Sequence, residues 1–590
     1  HYAGVQIVCA ADVGRGKWQH LAFVYDQDRA TCFFDGQLID SAQVESIDRQ
    51  PLPDLQQPED REHEHRDFKS LDAEQRRKLR FNVAIGTNRQ GKNAMLGLID
   101  ELRISQVARY AGPFTPKSCS QNYGERAPTP AEANGPPLLF PAKVVSAPLE
   151  FGTRKHVFVD DALLAEKSNL SISLNQPYNK RPIGTDFEIR KSSWRPSVMD
   201  VGGQVYLIIP EGYGSEQGKT FLATSDDGIH FSMRKPILTE TPLYGAFFHD
   251  LNPSVPATEK YKVNAFVANR GMFFYTSGDG VHWRRNEVLQ LPLRSGGGGE
   301  SFWDDQRGRY ASYIKRDSSF NTDDCPRVRG RVAIGFWTKE ILKPWPFRRR
   351  SEPYFEGYPF PAVTCEGPVS FDVSTAGEVY RTRAIKYPWA PDVYLAFVWR
   401  FSGDDGEDRH IDLGVSRNGE DWKFFGDHWY IPPGSREEEL SLYGLIRRGN
   451  EIWQYIDEGG AHGGDEQRKY YRYTQRLDGF ASLDAKSNVG TATTRPLLFE
   501  GDRLSINVKV DGELQVGFTD ADGKDLPAYS VADSDLIRCD SVERIVTWKG
   551  KADVAALANR PIRLKFRMRD AKLFAFEFKY GPQTVQESSP

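Results

Sequence analysis

The stretch "TSGDGVHW" (276–283) is a short polar turn ending on an indole, and the chain uses it three times. A near copy, "TSDDGIHF", lies at 224–231, and a looser one, "VSRNGEDW", at 415–422, giving the pattern S-x-[DN]-G-x-x-[FW]. One glycine per copy and no following lysine argue against a phosphate-cradling loop. Asp-Gly and Asn-Gly tolerate the left-handed backbone of a tight turn, and the aromatic beyond them re-enters a strand, so each copy reads as a hairpin. Positions 224 and 276 are 52 residues apart. That is about one propeller blade and too long for one hairpin.

The rest of the middle region supplies the other blades. "RPSVMDVGGQVYLIIPEGY" (195–213), "NPSVPATEKYKVNAFVA" (252–268), "ESFWDDQRGRYASYIKR" (300–316), "GEVYRTRAIKYPWAPDVYLAFVWRF" (377–401) and "LSLYGLIRRGNEIWQYIDEGG" (440–460) share one texture. Each is a strand, a polar turn and an apolar strand rich in Tyr and Phe. The turns fall at Gly202–Gly203, Thr258–Glu259, Gln306–Gly308, Pro388–Pro391 and Arg448–Asn450. Five such hairpins, three of them followed by the opening turn, predict a five-bladed β-propeller over 151–483, with a degenerate turn in "FWTKEILKPW" (336–345). "HVFVD" (156–160) is expected to close the ring beside blade five and so hide the edge strands. Trp283 reads as packing between sheets rather than stacking on a sugar.

The flanks are also β. Residues 484–580 alternate cleanly, with Ile562, Leu564, Phe566 and Met568 on one face, and predict an accessory β-sandwich before a 581–590 tail. Its "DADG" (520–523) is similar to a fragment of a calcium loop, so a structural calcium is one reading; without further ligands an ordinary hairpin turn is the simpler one. Residues 120–150 form a proline-rich linker. Residues 1–119 alternate like strands at "WQHLAFVYD" (18–26), "ATCFFDGQLI" (30–39), "FNVAIGT" (81–87) and "LGLIDELRIS" (96–105). Between them lies a charged insertion whose Glu-His alternation at 62–65 reads as a solvated loop or short helix rather than a metal site.

Composition excludes several classes. Lysine plus arginine (77) nearly balances aspartate plus glutamate (81), so a nucleic-acid partner is not expected. Six scattered cysteines with no C-x-x-C pair exclude a zinc knuckle, leaving a disulfide such as Cys9–Cys32 open. No apolar run approaches a membrane span.

Two resemblances follow from these residues. "GKWQHLAFVYD…CFFDGQLI…AIGT…GLIDELRIS…ARYAGPFTP" resembles the second half of a laminin G-like, concanavalin A-type jelly roll, whose first half is absent here. "RKHVFVDDALLAEKSNLSISLNQP", "NPSVPATEKYKV", "FWDDQRGRYASYIKR", "GLIRRGNEIWQYI" and "DGFASLDA" resemble the five-bladed glycoside hydrolase propellers of families 32 and 43, over roughly 150–580. The expected fold is all-β, a five-bladed propeller flanked by a partial N-terminal jelly roll and a C-terminal β-sandwich. The second resemblance implies an exported protein, extracellular or periplasmic, with a carbohydrate substrate, no cofactor, and three carboxylates in an axial funnel. They would be a base or nucleophile on blade one, a stabilising aspartate on blade two and a general acid on blade three.

By position the first is Asp186 or Glu188, the second Asp250 beside His249, and the third Glu300, after "SGGGG". Two departures stand out. Arg195 in "WRPSVM" occupies the place where family 43 relatives commonly carry an aspartate, which leaves the base to another residue or points to an anionic sugar held by Arg195. "CEGP" (365–368) resembles the acid motif yet is expected to open blade four, so Glu366 competes with Glu300. Glu378, Arg381 and Arg383 on blade four, and Asp457, Glu458 and His462 on blade five, are candidate substrate contacts; the arginines would suit a uronic or sulfated sugar. The alternative is a catalytically inactive propeller that binds carbohydrate or protein. A sialidase-like reading ranks below both, because an Asp-box places its glycine two residues after the aspartate and sialidases normally have six blades.

Overall fold

The computed structural model describes 21–26, 29–34, 37–43, 133–140, 148–189, 196–211, 219–238, 243–267, 271–286, 288–290, 299–316, 332–345, 348–353, 361–364, 369–371, 378–402, 408–426, 428–432, 441–458 and 469–581. The chain divides into two units, His1–Thr129 and Pro130–Pro590. In the first, the strands Leu21–Asp26, Arg29–Phe34 and Gln37–Gln43 form an antiparallel meander. The strands expected at 81–87 and 96–105, and Cys9, lie outside the described residues.

The second unit contains five consecutive blades, each of four strands, with a fifth short strand added to the outer edge of the first. Their first strands are Ser197–Val201, Leu243–His249, Gly299–Asp304, Glu378–Lys386 and Ser441–Arg448. Each packs beside the next, and the fifth packs beside the first, so these five strands are the inner ring of a closed propeller. The polar turns read from sequence join each inner strand to its second strand. In blade three the fourth strand, Val369–Phe371, comes only after a separate hairpin of Arg348–Pro353 and Pro361–Thr364.

The repeated turn joins third and fourth strands, and it clasps neighbouring blades. Within a copy the chemistry is local: Gly280 N–H donates to Ser277 Oγ at 2.9 Å, and Val281 and His282 N–H donate to Asp279 Oδ1 at 2.8 Å. Between blades, each glycine lies flat on an aromatic from the second strand of the preceding blade. Gly280 of blade two sits on Tyr206 of blade one, Gly228 of blade one on Trp453 and Tyr455 of blade five, and Gly419 of blade four on Tyr394 of its own blade and Tyr313 of blade three. Gly228 has φ +70°, and a Cβ there would come 2.5 Å from the Trp453 ring. The glycine is therefore required twice, for the turn and for the close approach. Trp283 packs edge-on to Phe247 at 5.0 Å and donates its indole N–H to Gly280 O, inside the protein rather than towards a ligand.

The ring closes differently from expectation. The strand that completes blade five is Tyr178–Pro182, which pairs with Lys469–Arg476. "HVFVD" instead pairs through Lys155–Val157 with the long C-terminal strand Ile562–Lys579. His156 and Phe158 contact the C-terminal sheet, while Val157 and Val159 join a core of blade-four and blade-five residues such as Leu395 and Ile456. A strand buried on both faces shows the same apolar run in a blade or between two layers. The true closing strand is exposed at all five positions and carries no hydrophobic signal.

Further strands before blade one, Leu149–Gly152, Leu164–Ser168 and Leu170–Leu174, also pair with the C-terminal sheet rather than the propeller. That sheet is built on two 18-residue strands, Arg503–Asp520 and Ile562–Lys579, paired antiparallel with bulges. Ile562, Leu564, Phe566 and Met568 are buried in one core with Leu504, Val516 and Phe518. At "DADG", Asp520 Oδ1 accepts the N–H groups of Asp522 and Lys524, an Asx-type turn. Among the described residues, helix is confined to two three-residue 3-10 turns, and no helix is long and apolar enough to cross a membrane.

Candidate functional site

Because the inner strands are related by rotation about the ring, their N-terminal ends share one face of the propeller. Glu300 is the second residue of the blade-three inner strand. Alternation divides that strand. Ser301 and Trp303 face blade two, where Asn264 Nδ2 donates to Ser301 Oγ at 3.1 Å and Trp303 packs in one cluster with Phe274. Glu300, Phe302 and Asp304 face blade four, where Phe302 meets Tyr394 and Asp304 accepts the Tyr394 hydroxyl at 3.0 Å. Glu300 is thereby set in the seam between blades three and four, 3% exposed.

Across the seam stand Arg381 and Arg383, both buried, on the blade-four inner strand. Arg383 Nε lies 3.7 Å from Glu300 Oε2, an ion-pair distance longer than a hydrogen bond. Burial pushes the Glu300 carboxyl above the usual glutamate range, and Arg383 and Arg381 offset only part of that rise. Arg383 Nη1 is buried and, among the described residues, has no hydrogen-bond partner.

Other buried charges lie at the same end of their blades. Asp457 pairs in register with Ser441, the first residue of the blade-five inner strand, and Glu458 follows it. Glu458 Oε1 accepts from Lys180 Nζ of the closing strand at 2.5 Å, so it helps latch the ring. Glu211 ends the second strand of blade one, three residues beyond Ile208, the partner of Ser197. On blade four, Arg400 Nε and Asp412 Oδ2 are 2.7 Å apart, and His410 Nε2 is 3.3 Å from Asp412 Oδ1. Sequence reading missed Glu211, Arg400, His410 and Asp412. The available signal was a charge inside or ending an apolar strand, as in "VYLIIPE".

The remaining candidates are scattered. Asp250 and His249 lie at the C-terminal end of their inner strand, on the opposite face from Glu300. Asp250 is engaged in a buried ion pair with Lys262 at 2.7 Å and accepts the Tyr310 hydroxyl at 2.8 Å. His249 is exposed, with its pKa lowered by partial burial and by Lys260. Asp186 and Glu188, expected on the funnel side of blade one, are exposed and follow Gly184–Thr185. That strand is added outside the fourth strand of blade one, four strand spacings or roughly 19 Å along the sheet from the inner strand. The expectation that "CEGP" opens blade four is corrected: the strand after it, Val369–Phe371, is the outer strand of blade three. Glu366 itself, Arg195 and His462 lie outside the described residues, and Glu378 is described in its backbone only. Among the described residues no group of three or more His, Cys, Asp or Glu is placed to hold a metal ion.

No family model and no curated protein matches this chain. Solved structures align with about half of it. An N-acetylgalactosamine deacetylase from F. plautii in complex with blood group B trisaccharide aligns over 51% of this chain and 96% of its own, with 10% identity and a TM-score of 0.35. A thermostable family-43 glycoside hydrolase aligns over 53% and 96%, with 11% identity and a TM-score of 0.35. The catalytic domain of Coprinopsis cinerea GH62 α-L-arabinofuranosidase aligns over 50% and 97%, with 11% identity and a TM-score of 0.34. Such scores add nothing to the chemistry; the five-bladed propeller rests on the sheet order and the closed inner ring.

Proposed function

We propose that the propeller is a glycoside hydrolase acting on a polysaccharide or oligosaccharide, with Glu300 as its general acid. The supporting observation is a carboxyl buried at the entry of the blade-three inner strand and held above the usual glutamate range. A carboxyl that keeps its proton near neutrality can protonate the glycosidic oxygen as the C–O bond breaks. The complementary base, which takes a proton from the attacking water, is assigned to Asp457 or Glu211, buried carboxylates at the same end of blades five and one; Glu458 beside Asp457 is paired with Lys180. A polymer substrate would place the protein outside the cytoplasm.

A second reading, a propeller that binds glycan without cleaving it, draws on Arg383. A guanidinium 3.7 Å from the acid stabilises its ionised form and works against proton donation. Reducing-sugar release from a panel of plant and marine polysaccharides, run with the full chain and with Glu300→Gln, tests both readings. The hydrolase reading expects one polymer to be cleaved and the variant to lose at least about a hundredfold in rate while still binding. Undiminished cleavage by Glu300→Gln rejects Glu300 as the acid. Binding without cleavage by either protein favours the second reading.

A further inference from the structure

We propose that Arg383 forms a subsite for an oxyanion carried by the substrate, a sugar carboxylate or sulfate ester held next to the bond at Glu300, so that the glycan is acidic. The position beside the reacting bond rests on the glycosidase reading; the anion subsite does not.

The argument starts from the cost of the cation. Arg383 is 8% exposed in its side chain, and a guanidinium removed from water is destabilising unless its donors are used. Glu300 meets it through Nε at 3.7 Å, too far for a hydrogen bond, and among the described residues Nη1 has no hydrogen-bond partner. Arg400 on the same blade, 2% exposed in its side chain, has a carboxylate oxygen of Asp412 at 2.7 Å, an ångström closer than Glu300 stands to Arg383. The contrast lies within one sheet, so it is local to the seam. A planar, permanently charged fork with an unused donor is complementary to a carboxylate or sulfate, which can accept two parallel N–H bonds, and is poorly matched by a lone sugar hydroxyl. Arg381, two residues earlier on the same strand and also buried, adds positive potential on the same side. A protonated Glu300 would sharpen this, since it leaves Arg383 facing a neutral group until the ligand arrives.

The test compares charged glycans with the same glycans after neutralisation, using the full chain. Polygalacturonate is set against its methyl ester, and a sulfated carrageenan against its desulfated form, with neutral arabinan alongside; binding is read by titration calorimetry and cleavage by reducing ends. The expected result is binding of at least one acidic polymer, weakened about tenfold or more when its charge is removed. Which pair responds separates a carboxylate from a sulfate. Arg383→Gln should show the same loss on the acidic polymer and none on the neutralised one. If that variant does not fold, the wild-type comparison decides alone. Equal binding of charged and neutralised forms, or binding of neutral glycans only, overturns the subsite, as does binding of none of these acidic polymers. Charge-dependent binding with no cleavage keeps the subsite and removes the hydrolase. Glu300-dependent cleavage of a neutral polymer does the reverse.

Discussion

Replacing Asp250 with alanine should destabilise the propeller without bearing on chemistry. The Asp250 carboxylate has 0% side-chain exposure and receives three donors: Lys262 Nζ at 2.7 Å, the Tyr310 hydroxyl at 2.8 Å and Asn252 N–H at 3.0 Å. Lys262 is itself 1% exposed, so Asp250→Ala leaves a buried ammonium without its counter-ion, with the Glu259 carbonyl at 2.6 Å as a remaining acceptor. Breaking a buried pair from one side costs about 3–5 kcal/mol. Unfolding entropy for the unit Pro130–Pro590 is on the order of 1 kcal/mol per kelvin, taking about 2 cal/mol/K per residue, which converts the loss to a Tm lower by roughly 3–5 °C. Removing both charges in Asp250→Asn/Lys262→Met should recover most of it, because no buried charge is left unpaired and the Asn oxygen can still accept a hydrogen bond. Differential scanning calorimetry reads the shift, and glycan cleavage is assayed in parallel. An Asp250→Ala protein with unchanged Tm and abolished turnover would refute the structural assignment and return Asp250 to the catalytic set.

Glu300→Gln is expected to gain stability as it loses activity. A carboxyl whose folded pKa is raised contributes fully below the ordinary glutamate range and loses that contribution as pH rises through the raised value. The variant's Tm should therefore exceed wild type at neutral pH, with the gap closing in acid; a constant gap across pH would contradict the burial argument. His156 behaves oppositely: burial and then Arg417 hold its pKa well below 6.5, so stability is present above the ordinary histidine range and lost as pH falls through it. His156→Phe should flatten that acid limb in urea titrations at pH 5 and 7, and an unchanged pH slope would count against it. Gly228→Ala should cost more than Gly426→Ala. Both have positive φ, worth about 1 kcal/mol, but only Gly228 would also meet Trp453, while Gly426 has open space. Equal Tm losses would reject the clasp between blades one and five.

The propeller was legible because its signal is local and repeated. Strand–turn–strand units with Gly202–Gly203 or Arg448–Asn450 at the bend announce themselves within a few residues, and the Ser-x-Asp-Gly turn sets the period. What repeats can be counted, whereas what closes a ring cannot. Tyr178–Pro182 is wholly exposed and finds its partner nearly 300 residues away, so nothing in its composition distinguishes it from a loop. The site divides along the same line. The place of Glu300 in the fold was readable because it opens an inner strand that begins a recognisable hairpin. Asp250 was misplaced because a polar residue near an inner strand can stand at either end, and only the register shows that His249 ends its strand where Glu300 begins its own. Glu211, Arg400 and Asp412 were hidden within or at the end of apolar strands. Their burial depends on which blades meet, and so on contacts that strand period alone does not encode. A charge inside an apolar blade strand is therefore a better first candidate in this fold than a charge in the loop before it. The loop charges Asp186 and Glu188 point the same way, since they lie at the outer edge of blade one.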